Sequence, residues 1–89
     1  MTLLACAAVL SGVCLLPPST QTPRCPRAGR SVITITSQVS NADAAQQAAV
    51  EVVRRGGDTL KVTRNEKRGR GRSWIYVVEG YAFRCEKEE

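Results

Sequence analysis

Histidine is absent from this chain of 89 residues, so the commonest general base and the commonest metal ligand are both missing. The sequence also lacks a Cys-x-x-Cys pair, a Ser-x-x-Lys motif, a Gly-x-Ser-x-Gly motif and paired carboxylates at a useful spacing. Glu79 is the lone acid within a predicted strand, and one carboxylate without a partner is weak evidence of catalysis. We therefore predict a protein that is not an enzyme and that uses neither a metal nor another cofactor.

Charge is missing from the first sixteen residues, so the net charge of +5 belongs to the rest of the chain. Leu3 to Leu16 is an apolar run that is too short to span a bilayer, which takes about 20 residues, and it is typical of a signal-peptide core. We predict that residues 1–16 are a signal peptide or a lipoprotein-type export segment. The usual positive stretch is missing, so either the start codon lies upstream or the free amino terminus serves instead. A buried helix is the disfavoured alternative, because a core this small cannot surround a helix that is apolar on every side.

Two cysteines within this run are candidates for lipidation. Leu3-Leu4-Ala5-Cys6 satisfies a bacterial lipobox but leaves little chain before it. Cys14 lies at a better depth, although the small residue that should precede it is replaced by Val13. The alternative is that both cysteines are small apolar residues of a signal core.

The rest of the chain divides by composition into three parts. Residues 17–30 contain all four prolines and predict an extended linker. Residues 31–85 are predicted to form the folded domain, and residues 86–89 are a charged tail. Burial of apolar side chains stabilises a domain of this size only marginally, so we expect it to need a covalent cross-link such as a disulfide.

Hydrophobic periodicity predicts the elements of that domain. Residues 31–39 alternate as a strand with Ile33 and Ile35 inward. Ser40 or Asn41 is predicted to cap a helix that ends at Gly56-Gly57. The predicted buried face of this helix is rich in alanine and comprises Ala45, Ala48, Ala49, Val52 and Val53.

A hairpin is predicted to follow the helix. Residues 58–64 form its first strand, with Leu60 and Val62 inward and Lys61 outward, and residues 74–85 form its second. Residues 65–73 are polar and are predicted to be the turn between them, and Gly80 marks a bulge or a close approach. The predicted class is α+β: a small β-α-β-β domain with one helix on a three-stranded, largely antiparallel sheet.

Cys25 and Cys85 lie just before the first strand and at the end of the last. If these two strands are neighbours, only an antiparallel pairing brings the two cysteines together. We predict a disulfide between them, as expected for an exported domain of this size. Two unrelated buried thiols are the alternative.

The motifs Gly56-Gly57-Asp58-Thr59-Leu60 and Gly80-Tyr81-Ala82-Phe83-Arg84-Cys85 resemble those of small uncharacterised bacterial envelope lipoproteins, a family of unknown function. The layout is more distantly similar to the outer-membrane stress-sensor lipoprotein of the Rcs phosphorelay. This resemblance covers residues 25–85 and implies the fold, the disulfide and a periplasmic or outer-membrane location. It implies no chemistry.

One segment stands out as a candidate binding site. Residues 64–72 carry five basic residues and one acid, and the candidate anion-binding residues are Arg64, Lys67, Arg68, Arg70 and Arg72. The alternative is a solvated hairpin tip whose charges keep a sheet edge soluble. The aromatic residues, which are Trp74, Tyr76, Tyr81 and Phe83, are predicted to pack in the core and on the sheet.

Three functions follow from these expectations. The first is a structural or sensing envelope protein that acts by contacting other envelope proteins. The second is a module that binds anionic lipid, lipopolysaccharide or another anionic membrane surface through the basic residues, with membrane association also through the N-terminus. The third, which is disfavoured because an exported protein rarely meets nucleic acid, is a nucleic-acid binder whose tip arginines and aromatic rings contact bases.

Overall fold

A computed structural model describes residues 6, 8–70 and 72–85. Its elements are β1 (Ala8–Leu10), β2 (Val13–Leu16), β3 (Ile33–Ser37), α1 (Asn41–Arg54), β4 (Thr59–Arg70) and β5 (Ser73–Phe83). The strands form one mixed sheet in the order β1-β2-β4-β5-β3, and α1 packs on one face of it. The α+β class is confirmed, but the sheet has five strands rather than three.

The two additional strands come from the apolar run at the N-terminus. β1 and β2 form an antiparallel hairpin, and β2 then pairs in parallel with the first three residues of β4. Val13 and Leu16 are almost completely buried, and successive residues of a strand point to opposite faces. A strand that is buried on both faces is a continuous apolar run, so sequence periodicity could not separate β2 from a signal-peptide core. The export function of residues 1–16 stays a prediction.

Helix α1 begins as predicted. Ser40 is its N-cap, and the Ser40 hydroxyl accepts a hydrogen bond of 3.0 Å from the amide of Asp43. The face against the sheet is rotated relative to the prediction, because Ala44 is buried while Val53 is 52% exposed. Of the buried residues, Ala44, Ala48 and Val52 follow the four-residue spacing of one helix row, and Ala49 is buried beside them. Because three of these four side chains are methyl groups, they allow a close approach of the helix to the sheet.

The central strand β5 lies between β3 and β4 and is antiparallel to both. Ile33 is buried and Ile35 packs at the edge of the same core, as predicted. Gly80 pairs with both Ile33 and Val62. The register between β4 and β5 shifts between Val62 and Arg64, so β4 has a bulge opposite Gly80. The backbone of β4 also lies close to Gly80. Both roles suggested for Gly80, marking a bulge and allowing a close approach, are therefore found here.

Gly80→Ala is expected to destabilise the domain. A Cβ atom at this position would lie 2.4 Å from the backbone oxygen of Lys61 and 3.0 Å from Leu60 Cδ1. Because backbone cannot move as freely as a side chain, the cost is expected to be about 1–3 kcal/mol of unfolding free energy. Urea denaturation measures it, with Ser73→Ala on the exposed end of β5 as the control. Equal midpoints for the two variants would contradict the close approach.

The segment between β2 and β3 pairs with the end of β5 through a bridge between Arg27 and Phe83, and it covers Lys61 of β4 at Pro18. Arg84 donates its amide hydrogen bond to Pro26 O, and Ala28 donates its amide hydrogen bond to Ala82 O. Lys61 alternates with the core residues Leu60 and Val62 and points away from α1 as predicted, but it is only 7% exposed. It is covered because the chain after β2 folds back over this part of β4, where the Lys61 ammonium donates to Pro18 O at 3.2 Å.

Candidate functional site

The basic segment is part of a two-stranded ribbon. β4 continues to Arg70, β5 begins at Ser73, and the strands pair in register from Arg64 with Glu79 to Arg70 with Ser73. The prediction of a turn over residues 65–73 is therefore wrong, since the strands are separated only by residues 71 and 72. The polar residues of β4 have weak strand propensity on their own, but pairing with the apolar residues of β5 overrides it.

The ribbon has open edges where the neighbouring strands stop. β2 pairs only with residues 59–61 of β4, and β3 pairs only with residues 76–80 of β5. Within the described ranges, no strand pairs with the outer edge of β4 from Val62 to Arg70. We call residues 64–70 and 72–79 the basic ribbon.

Arginines dominate the ribbon face that points away from α1. Glu66 lies between two of them, 3.3 Å from Arg64 Nη1 and 2.8 Å from Arg68 Nη2. Glu79 lies 3.6 Å from Arg64 Nε across the two strands. Arg70 and Arg72 form no salt bridge with any other residue that the structure describes. Positive charge is thus balanced near the base of the ribbon and unbalanced at its tip.

Two aromatic rings, those of Trp74 and Tyr76, lie on the opposite ribbon face beside Lys67. The ammonium of Lys67 lies 4.4 Å from the Trp74 ring centroid and 5.7 Å from that of Tyr76. Tyr76 packs against the core and Phe83 is buried, as predicted, but Trp74 is 41% exposed. Tyr81 is half-buried beneath the guanidinium of Arg27, whose Cζ lies 4.4 Å from the ring centroid. Trp74 is therefore available for contact with a partner.

Two hollows adjoin the ribbon. The one at its tip has a volume of about 350 Å³ and is lined by Gln38, Arg72, Ser73, Trp74, Ile75 and Tyr76. The one at its base has a volume of about 210 Å³ and lies where β2 ends, beside α1; its lining includes Leu15, Pro18, Ala45, Leu60, Val62 and Asn65. Sequence reasoning did not find the base hollow, because its lining comes from separate segments of the chain.

The predicted disulfide between Cys25 and Cys85 is present, with the two Cα atoms 5.2 Å apart. It closes a loop of 60 residues, because β3 and β5 are antiparallel neighbours as the prediction required. Asp58 supports this end of the sheet, since its Oδ1 accepts hydrogen bonds from the Cys85 amide at 2.7 Å and from the Thr59 hydroxyl at 2.9 Å.

The second pair, Cys6 and Cys14, is also bonded, with the Cα atoms 5.3 Å apart. These are the two candidate lipidation residues, and a sulfur atom in a disulfide cannot carry a thioether-linked lipid at the same time. Three residues of the Cys6 lipobox, 3–5, and the predicted tail, 86–89, lie outside the described residues. Lipidation stays a prediction that requires this bond to be absent.

Among the described residues, no cluster of acidic and cysteine side chains is suited to hold a metal ion. None of the helices in the same part of the chain is both long enough and apolar enough to cross a bilayer. Comparisons with protein-family models, with curated proteins and with solved structures found no match to this chain.

Proposed function

We propose that this protein is a non-enzymatic cell-envelope protein, periplasmic or attached to the outer membrane, of structural or sensing type. It acts by binding other envelope proteins through the basic ribbon. The observation that carries the proposal is the ribbon itself, in which cationic side chains occupy a pair of strands that extends past α1 and leaves strand edges open.

Its covalent structure supports a location outside the cytoplasm. Cys25 and Cys85, which lie outside the predicted export segment, are joined in a disulfide, and disulfides form and persist mainly in oxidising compartments such as the bacterial periplasm. The resemblance to small envelope lipoproteins points the same way. The residues that the structure describes form five strands and one helix around a small core, and a small core benefits from covalent cross-links.

The distribution of charge supports a binding role for the ribbon. Glu66 and Glu79 are the carboxylates paired with its arginines, so a surplus of positive charge faces solvent. A surplus of charge of one sign on a projecting element attracts partners of opposite charge and increases the rate at which they associate. The preferred partner surface is therefore acidic.

A second candidate function is favoured by the tip hollow. Arg72 and Trp74 line it together, and a guanidinium beside an exposed indole ring suits a phosphate that lies next to a sugar ring or a flat base. The second function is thus the binding of anionic lipid, lipopolysaccharide or nucleic acid at the tip of the ribbon.

Whether binding depends on the positive charge of the ribbon is tested with a triple variant that carries Arg68→Ser, Arg70→Ser and Arg72→Ser. Binding to poly-L-glutamate is expected to weaken about tenfold or more, because three exposed charge pairs at about 0.5–1 kcal/mol each exceed the roughly 1.4 kcal/mol of a tenfold change. Trp74, the only tryptophan of the chain, reports binding by its fluorescence. Affinity is also expected to fall as salt is raised.

The matched control removes the same charge elsewhere, as Arg24→Ser, Arg30→Ser and Arg54→Ser, three exposed positions outside the ribbon. It is expected to keep most of the affinity. Equal losses in the two triple variants would refute the ribbon as the binding site. Binding to phosphatidylglycerol vesicles without binding to poly-L-glutamate would favour the second function.

A further inference from the structure

We infer that the outer edge of β4 binds an extended, acidic segment of a partner protein as an added β-strand. The added strand pairs with Arg64 to Arg70, and one of its apolar side chains enters the base hollow. This inference rests on the proposed function, since it specifies how the basic ribbon contacts a protein and which chemistry the partner has.

The backbone of β4 supplies the pairing groups. β2 pairs with this edge only as far as Lys61. Pro17 and Pro18, which follow β2, have no amide hydrogens to continue the pairing, and Pro18 O accepts instead from the Lys61 ammonium. Beyond that point β4 continues to Arg70 with β5 on its other side only. In an antiparallel pair every second residue directs its amide and carbonyl away from the partner strand, so this stretch offers hydrogen bonds to a further strand.

The base hollow provides an apolar anchor point in line with that edge. It opens beside Val62 and Asn65, next to the end of β2 and the first turns of α1. A strand added after β2 therefore passes over the hollow with alternate side chains pointing toward α1. Its volume of about 210 Å³ accommodates one aliphatic side chain.

The side chains of β4 select the charge of the added strand. Arg64, Arg68 and Arg70 lie on the face away from α1, with Glu66 among them. Cross-strand neighbours of opposite charge stabilise a sheet, and like charges destabilise it. A complementary strand therefore carries acidic residues on this face and apolar residues on the face toward the hollow.

A second copy of this chain is a poor occupant of the same edge. Pairing two copies of β4 would place two surplus-positive strands side by side, and the whole chain carries +5. Such repulsion is how edge strands avoid self-association. Lipid and nucleic acid can bind to the arginine side chains, but they cannot form a ladder of backbone hydrogen bonds with β4. A peptide whose backbone amides are blocked therefore distinguishes strand addition from binding by charge alone.

The probe is an eight-residue peptide, blocked at both ends, that begins with leucine and then alternates glutamate with valine. Two further peptides carry N-methyl groups on alternate residues, one on the odd positions and one on the even positions. Both have the same charge and the same number of N-methyl groups. They differ in which amides are methylated, those of leucine and valine or those of glutamate, and therefore in whether the methylated amides point toward β4 or away from it.

Trp74 fluorescence and hydrogen exchange of the amides of β4 measure binding to the whole protein. The unmethylated peptide is expected to bind and to protect alternate amides between Arg64 and Arg70. One methylated peptide is expected to bind at least about tenfold more weakly, since several hydrogen bonds are lost, while the other binds within about threefold of the parent. A variant with Ala45→Leu, which fills the base hollow, is expected to weaken the parent peptide but not one in which alanine replaces the first leucine.

The outcomes separate the inference from the function on which it rests. Equal affinity of all three peptides, with a large loss in the triple arginine variant, would overturn strand addition and leave charge-based binding in place. Affinity unchanged in the triple arginine variant, or no binding of any anionic probe, would overturn both. Alternate protection that matches the methylation parity supports the added strand.

Discussion

Deletion of residues 1–16 is expected to leave a chain that does not fold stably. The deletion removes β1 and β2, and with them Val13 and Leu16, whose exposed fractions are 0% and 1%. Burial of two such side chains contributes about 1.5–3 kcal/mol each, and Leu60 would lose the covering that β2 gives it on the adjacent strand. This is a large share of the roughly 5–15 kcal/mol that stabilises a typical protein.

Single substitutions give the same test without altering chain length. Leu16→Ala is expected to cost about 2–5 kcal/mol of unfolding free energy, because it leaves a cavity at a fully buried position. Val9→Ala is the control in the same hairpin, since Val9 is 62% exposed, and its cost is expected to stay within about 0.5 kcal/mol. Urea titrations at constant protein concentration measure both values.

The same experiment bears on the export prediction. A domain that stays fully folded and resistant to urea after residues 1–16 are deleted would show that β2 is dispensable, and would fit cleavage of these residues during export. Intact-mass measurement on the protein from cells then shows whether residues 1–16 are retained, whether an acyl chain is attached, and whether all four thiols are oxidised.

Replacement of Cys25 and Cys85 by serine is expected to be the most damaging disulfide change. The bond closes a loop of 60 residues, and the loop-entropy relation gives a loss of about 4 kcal/mol. Serine is used at both positions so that neither variant contains an unpaired thiol. The unfolding free energy from urea titration, without reductant, measures the loss.

The matched control is the double replacement of Cys6 and Cys14 by serine. That bond closes a loop of only 8 residues, and the same relation gives about 2.5 kcal/mol. The order of the two losses is the sharper test, because strain and residual structure affect the absolute values. A larger loss from the Cys6–Cys14 variant would contradict the view that the longer bond is the main staple.

Local sequence patterns were sufficient to predict the central part of the fold. The alternation around Ile33 and Ile35, the cap at Ser40 and the end of the helix at Gly56 depend on residues a few positions apart, and the structure has them as predicted. The pairing of Cys25 with Cys85 also followed, because it required only the order of the strands and one antiparallel contact.

The candidate site was only partly predictable. Its basic residues are visible in the sequence, but their division between two faces depends on the pairing of β4 with β5. The strand character of residues 65–70 arises from that pairing and not from their own propensity. The base hollow combines residues from β2, α1 and β4, and no local pattern brings these segments together.

By itself, then, the amino-acid sequence determined the α+β class, the helix with its cap, the staple between Cys25 and Cys85, and the concentration of positive charge in residues 64–72. Only the tertiary structure decided that the apolar run supplies two strands, that Lys61 is covered, and that the basic segment is a ribbon with an open edge. The physical reason is that burial and strand pairing depend on which distant segments become neighbours. A short apolar run has the same composition in the core of a signal peptide as in a strand that is buried on both faces.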